Sequence, residues 1–248
     1  MSVEHKYQQM ETIMLKLFIF GPYFGLPDAS PFCLKAMTLL KMSGLPFETE
    51  KMNFKKAPKG KAPYLTDGSK QIADSHFIMR HLETAHGIDF SGGYDSATLA
   101  GGWAVARMLE EHFYFLSMHY RWLHDGNFNK GPYQFFADAP ALIRPLIAKI
   151  VRGKVRKTQN LQGLGRNSDA ERLSLAKGDL DAIEAMLGSN PYLLGQNISA
   201  ADASLFGFMW STSIAYFNSP VGDYIRSRPV LIAYLMRMRD RFFPGFDV

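Results

Sequence analysis

From Met14 to Phe20 the chain reads MLKLFIF, a run too short for a helix and without a clean polar face. Such a run predicts a strand covered on both sides. After the loop GPYFGLPDAS, the stretch Pro31 to Ser43 sets Leu34, Met37, Leu40 and Lys41 at helical spacing, with Gly44 and Pro46 as stop signals. Phe47 to Asn53 predicts a second strand. Lys61 to Ala73 (KAPYLTDGSKQIA) predicts two short strands reversed at Asp67-Gly68, a dipeptide that accepts the positive φ angles of a tight hairpin. Asp74 to His86 then returns to a helical period. The predicted order, β-α-β-β-β-α, is a small open sheet with helices packed on it.

Beyond Gly101 no further strand signal occurs and long helical patterns take over. Trp103, Ala106, Phe113, Leu116, Tyr120 and Leu123 are expected to share one face of a long helix. Ser168 to Glu171 and Ser199 to Asp202 are capping boxes, each opening a helix. The first of these helices points Leu173, Leu180, Ile183 and Leu187 inward. The second is so apolar through Phe217 that it is expected at the centre of its domain. The change of period predicts an α+β domain over 1–88, a linker rich in Gly, Ser and Asp over 89–98, and an all-helical domain over 99–248. Residues 1–13 read as an extra tail.

Composition narrows the class. A chain of 248 residues that is 47% hydrophobic and 21% charged can bury one large core or two modest ones. Its single cysteine, Cys33, excludes an intrachain disulfide and a cysteine-based metal cluster, and the N-terminus lacks the pattern of a secretory signal. A reducing, cytoplasmic setting is expected. The longest uncharged stretch, Ala203 to Gly222, is too interrupted by polar residues to predict a membrane span.

The formal charge of +5 is unevenly placed, because Arg144, Lys149, Arg152, Lys154, Arg156 and Lys157 fall together with no acid between them. The plain reading is a solvated helix face, and the sharper one is weak contact with an anionic surface. No aromatic residues interleave the cations, so nucleic acid is not an expected partner.

Local chemistry centres on Ser30. Serine before a proline at the first helical position predicts a helix cap, whose loss typically costs about 1 kcal/mol. Cys33, one turn on, reads as an inert core residue. His76, His81 and His86 recur every five residues and are not expected to share a helix face. His112 and His119 lack a carboxylate at metalloprotease spacing, so no metal site is predicted. There is no phosphate-cradling glycine loop and no Gly-x-Ser-x-Gly elbow.

Three motifs together carry a resemblance: SPFC at the first helix, KAPYLTDGSKQIADSHFIMRHL, and PYLLGQNISAADASLFGF. Over roughly residues 14–245 the chain resembles the glutathione S-transferase superfamily. The extra residues Pro22 to Ala29 and the short segment before Lys61 are similar to its metaxin-like and failed-axon-connections-like branch. The resemblance implies a thioredoxin-like first domain, a helical-bundle second domain, and a C2 homodimer. It also implies glutathione as co-substrate, with no metal, held by Ala62, Pro63, Asp74 and Ser75 and with the Ala62-Pro63 bond cis. Ser30, or alternatively Tyr23, takes the role of thiolate stabiliser. Tyr114, Met118 and Trp122, with Arg121, line the implied site for a hydrophobic electrophile. Two functions follow from it: conjugation of glutathione to that electrophile, or a non-catalytic binding module on the same fold.

Overall fold

Leu15–Ile19 forms β1, with Leu15, Leu17 and Ile19 buried on one face and Lys16 and Phe18 half-buried on the other. The expected burial on both faces is therefore only half met. The segment from Met52 to Ala62 forms turns, so no helix covers the second face there. These and all following observations come from a computed structural model that describes residues 14–247. The N-terminal tail expected at 1–13 lies outside the described residues.

The sheet has the order β2-β1-β3-β4, with β2 at Phe47–Lys51, β3 at Tyr64–Asp67 and β4 at Lys70–Ala73. β1 pairs parallel to β2 and antiparallel to β3, and β3 pairs antiparallel to β4 across the Gly68-Ser69 turn. Gly68 takes a φ of 57°, the conformation the hairpin reading required. β2 is an exposed edge strand, and its sequence FETEK keeps that edge charged.

Helix α1 (Pro31–Ser43) buries nine of its thirteen residues, because the sheet covers one side and helix α8 (Ala200–Ser213) the other. α8 is buried from Ala201 to Ser213, as its composition predicted, although it ends at Ser213 and not at Phe217. Both predicted capping boxes are formed, at α8 and at α7 (Asp169–Leu187). Helix α2 (Ser75–His86) completes the first domain.

Helix α3 (Ser96–Met108) begins inside the segment expected to be linker, because Asp95 caps it by accepting from the Thr98 amide. It continues through a π-type turn, Leu109–Phe113, into α4 (Tyr114–Leu123). The wider turn shifts the helical phase, so Trp103 is half exposed while Phe113, Leu116 and Tyr120 point into the core. The remaining helices are α5 (Asp125–Lys130), α6 (Arg144–Gln162), α9 (Pro220–Arg226) and α10 (Pro229–Phe242).

The π turn also carries Glu110 into the junction between the domains. There Lys35 Nζ of α1 donates to Glu110 Oε1 at 2.7 Å, and both side chains are only 3% exposed. Ser204 Oγ of α8 donates to the same oxygen at 3.0 Å, and Arg107 reaches the other at 2.6 Å. Burial pushes the Lys35 ammonium below its usual range, and Glu110 opposes that shift. Removing one member of such a pair strands a buried charge, which typically costs about 3–5 kcal/mol. Lys35→Met should therefore lower unfolding free energy by about that amount in denaturant titration, and Lys35→Met with Glu110→Met should recover much of the loss.

Candidate functional site

The strand register brings the expected site residues to one edge of the sheet. Phe18 pairs with Tyr64, and Tyr64 pairs with Ala73, so these three lie in one row across β1, β3 and β4. β1 and β4 run parallel and β3 runs against them. Past that row the chain continues toward Ser30 from β1 and to Asp74 and Ser75 from β4, while Ala62 and Pro63 lead into β3. The carboxyl ends of two strands thus meet the amino end of a third, and the N-termini of α1 and α2 follow directly. The β1–β3 pairing stops at Tyr64, which leaves the Ala62 peptide without a strand partner. The Ala62-Pro63 bond is cis.

At the start of α2, Asp74 has a φ of 87°, a conformation rare outside glycine. Its carboxylate caps the helix by accepting from the His76 amide at 3.2 Å and pairs with Lys61 Nζ at 3.1 Å. Burial opposes ionisation of Asp74, but Lys61, the His76 amide and Lys59 together hold its pKa below the usual carboxylate value. Ser75 is fully buried, and its hydroxyl has no hydrogen-bond partner among the described residues. An orphaned buried hydroxyl is costly unless something outside the chain meets it. Lys55, Lys56, Lys59 and Lys61 make the turn segment beside it uniformly basic.

The loop from β1 to α1 is built around a residue that sequence reasoning did not single out. Asp28 is completely buried, and its two oxygens accept from the Gly21 amide at 2.8 Å and the Ser30 amide at 2.7 Å. It staples the end of the strand to the start of the helix. The signal was present: an aspartate two residues before a helix-starting serine is an Asx-turn pattern. Ser30 occupies the N-cap position, but its side chain makes no cap hydrogen bond, which corrects the expectation that it serves as the cap. The backbone there is fixed by Asp28, and the half-buried Ser30 hydroxyl lies instead beside the Cys33 thiol. Burial, and then the Asp28 charge, push the Cys33 thiol well above its usual range, in keeping with an inert core cysteine.

Tyr23 and Leu26 exchange backbone hydrogen bonds around Phe24 and Gly25, both at positive φ, so the extra residues form a tight turn. Its tip, Phe24, packs among Phe135, Tyr216 and Phe217 of the helical domain, and the Tyr23 ring meets Phe135 edge-on. Arg121 lies behind this cluster, donating to the Ala29 carbonyl at 2.8 Å and to the Ser211 carbonyl at 2.5 Å. Its pKa is lowered to about 10 by burial, with Tyr114 partly opposing the shift.

Of the residues expected to line a hydrophobic site, Trp122 packs near Phe128 and Phe135, beside the loop. Met118 is half-buried on the same helix. Tyr114 is instead wedged edge-on between Phe32 and Phe208 in the domain junction, and burial pushes its phenol pKa up. It is a packing residue, because its phase on α4 faces α1 and α8.

The histidines also depart from expectation. His81 and His86 both place Nε2 against Asp67 Oδ2, at 2.7 and 2.8 Å, because the carboxylate sits between them on the hairpin. His112 Nδ1 lies 2.7 Å from Asp179, and His119 and His124 approach Asp169 at 3.6 and 3.5 Å. Each therefore has a tertiary carboxylate neighbour that local spacing did not reveal. Asp169 is also bound by Arg172 at 2.6 Å, which already neutralises its charge.

The Asp28 environment makes a pH-dependent prediction. Desolvation raises its pKa from 3.8 to about 6, against the opposing pull of the Ser30 and Gly21 amides. A carboxyl raised in the folded state contributes stability below its unfolded pKa, and that contribution is lost as pH rises through about 6. Between pH 4 and pH 7 the stability gap between wild type and Asp28→Asn should move by up to about 3 kcal/mol in the variant's favour. Denaturant titrations of both proteins across that range check it.

Comparison with known proteins agrees with this arrangement. The pattern of the glutathione S-transferase N-terminal domain matches residues 31–127, and that of the glutathione S-transferase C-terminal domain matches residues 176–238. The isoprene-epoxide glutathione S-transferase of Rhodococcus sp. (strain AD45) is 27% identical over 239 residues, covering 92% of this chain and 99% of its own. Failed axon connections of Drosophila melanogaster is 29% identical, over 96% of this chain and 60% of its own length. Among solved structures, the β-etherase LigF from Sphingobium sp. strain SYK-6 superposes with a TM-score of 0.66 at 20% identity, over 91% of this chain and 95% of its own. That last likeness is one of fold. With both family domains matched in order, and with a thioredoxin-like sheet leading into a helical domain, this chain belongs to the glutathione S-transferase superfamily.

Proposed function

We propose that this protein binds glutathione at the sheet edge and conjugates it, through its thiolate, to a hydrophobic electrophile. The observation that carries the reading is the Ser75 hydroxyl, buried without a partner at the N-terminus of α2. A carboxylate of an anionic peptide supplies the missing acceptor, and the unpaired amides and dipole of the helix favour its charge. Asp74, oriented by the His76 amide and Lys61, receives the peptide's ammonium group. The unpaired peptide at Ala62 takes the extended backbone by strand addition.

The thiol end then falls toward the start of α1. A free thiol titrates near pH 8.5, and lowering it by about two units requires roughly 3 kcal/mol of preferential thiolate stabilisation. The Ser30 hydroxyl, not engaged as a cap, donates to the thiolate, and the first-turn amides of α1 add their partial charge. Tyr23, in the adjoining turn, is the alternative donor. The thiolate attacks an electrophilic carbon. With an epoxide the C–O bond breaks and the alkoxide takes a proton from water. The named substrate of the Rhodococcus relative makes a small epoxide the first electrophile to test.

A second reading is binding without turnover. It is favoured by Phe24, which fills the approach to the loop with the chain's own aromatic side chains. The relationship to Failed axon connections is compatible with it.

Calorimetric titration with reduced glutathione separates the possibilities. Wild type should bind with micromolar to low-millimolar affinity, and Ser75→Ala should weaken binding by about tenfold or more, the equivalent of one charge-assisted hydrogen bond. Ser30→Ala should leave affinity nearly intact while raising the pKa of the bound thiol by about one to two units, read by thiolate absorbance. Binding without turnover of epoxides would select the second reading. No heat at several millimolar from folded protein would remove the first reading and leave Ser30 without a catalytic role, in favour of an interaction module that does not hold glutathione.

A further inference from the structure

Helix α6 presents a surface that the rest of the fold leaves unused. Ala148 and Gln159 mark its inward side, with Gln159 Nε2 donating to the Phe115 carbonyl. At about 3.6 residues per turn, Leu146, Ile150, Lys157 and Leu161 fall on the opposite side. Leu146 is 59% exposed, Ile150 51% and Leu161 76%, and Leu142, in the turn before the helix, is 97% exposed. One exposed leucine needs no explanation, but a row of them along a nineteen-residue helix does.

The charge around this row has one sign. From Ala139 to Ser168 there is no acidic residue, while Arg144, Lys149, Arg152, Lys154, Arg156, Lys157 and Arg166 are basic. Two of these serve the fold: Arg144 donates to the Ala137 and Ala139 carbonyls, and Arg152 to the Trp122 and Leu123 carbonyls and to Asp125. Among the described residues, Lys149, Lys154, Arg156 and Lys157 have no carboxylate partner. Helical spacing puts Lys149 and Arg156 along one flank of the apolar row, Lys154 along the other, and Lys157 within it.

We propose that this face of α6 docks on an anionic lipid bilayer. The helix lies in the plane of the surface, with Leu142, Leu146, Ile150 and Leu161 at the boundary of headgroups and acyl chains and the flanking cations against lipid phosphates. An apolar row bordered by cations without partners is the pattern of an interfacial helix. A second copy of the chain fits this face poorly, because two-fold pairing sets an all-basic segment against itself. Single-stranded nucleic acid fits poorly too, since α6 contains no aromatic side chain for stacking. No helix among the described residues is long and apolar enough to cross a membrane, so the contact proposed is peripheral.

The test is co-sedimentation of the full chain with phosphatidylcholine vesicles, with and without about 30% phosphatidylserine. Wild type should bind only the anionic vesicles, and binding should fall steeply as salt rises from about 0.05 to 0.5 M. Lys149→Gln/Lys154→Gln/Lys157→Gln should weaken it about a hundredfold, roughly fivefold for each cation removed. Leu146→Gln/Ile150→Gln should weaken it at least about tenfold while leaving the thermal midpoint unchanged, because both positions are exposed. The proposal is overturned if folded wild type ignores anionic vesicles at low salt, or if both variants bind as wild type does. It is equally overturned if sedimentation velocity shows the apolar variant splitting a dimer, or if single-stranded RNA is bound in place of vesicles.

Discussion

The fold depends on how closely α8 approaches the first turn of α1. That approach requires Gly207, since a side chain there would bring a carbon within 2.8 Å of the Pro31 carbonyl and 2.9 Å of the Lys35 amide. Backbone therefore lies on backbone where the two domains meet. On the same side of α8, Ser204 meets Glu110, which in turn holds Lys35. Further along, Ser211 accepts from Arg121, whose other hydrogen bond secures Ala29 just before α1. The helical domain thus sets the position of the α1 N-terminus, where Ser30 stands. The geometry at the start of α1 is thereby tied to packing in the helical domain.

Polar groups are buried at this junction in an unequal way. In the Lys35, Glu110, Arg107 and Ser204 cluster both Glu110 oxygens are engaged and Lys35 is paired, with only Arg107 Nε left without a partner, so the cluster fixes register between the domains. Asp28 is likewise satisfied by two amides, and it holds the strand-to-helix turn in place of a serine cap. Ser75 differs, because its hydroxyl is as deeply buried and yet has nothing to bond. Among the described residues Arg107 Nε, Gln159 Oε1 and Arg172 Nε are also buried without a partner, but each belongs to a side chain bonded through another nitrogen, whereas the Ser75 side chain has no bond at all. Ser75 sits where strand ends and helix N-termini converge.

The sheet edge and the exposed face of α6 lie on different domains and differ in physical character. The sheet edge presents single, directional groups: an unpaired peptide, a carboxylate and a hydroxyl. The α6 face offers area and charge without fixed geometry, which suits a fluid, extended surface. Phe24, at the tip of the extra turn, is the link between the first domain and the aromatic cluster of the helical domain near Trp122 and Phe135. That turn is ordered, since the Tyr23 and Leu26 backbones bond reciprocally across it.

Local sequence by itself determined the elements whose causes are local. The Asp67-Gly68 hairpin, the Gly44 stop of α1 and the Ser168 and Ser199 capping boxes were legible because each depends on backbone conformations or caps within a few residues. The apolar run of α8 announced a central helix for the same reason, as burial on all sides needs apolar side chains on all sides. What failed depended on distant partners. The π turn at Leu109–Phe113 changed which face Trp103 presents, and it exists where Glu110 must reach Lys35, far away in sequence. Ser30 matched a cap in pattern but is relieved of the role by Asp28, and Tyr114 matched a cleft residue but faces Phe208. The histidines found carboxylates on other elements. Side-chain partners across elements are decided by how helices and strands are brought together in space, and a periodicity read along one element carries no information about what the next element places against it.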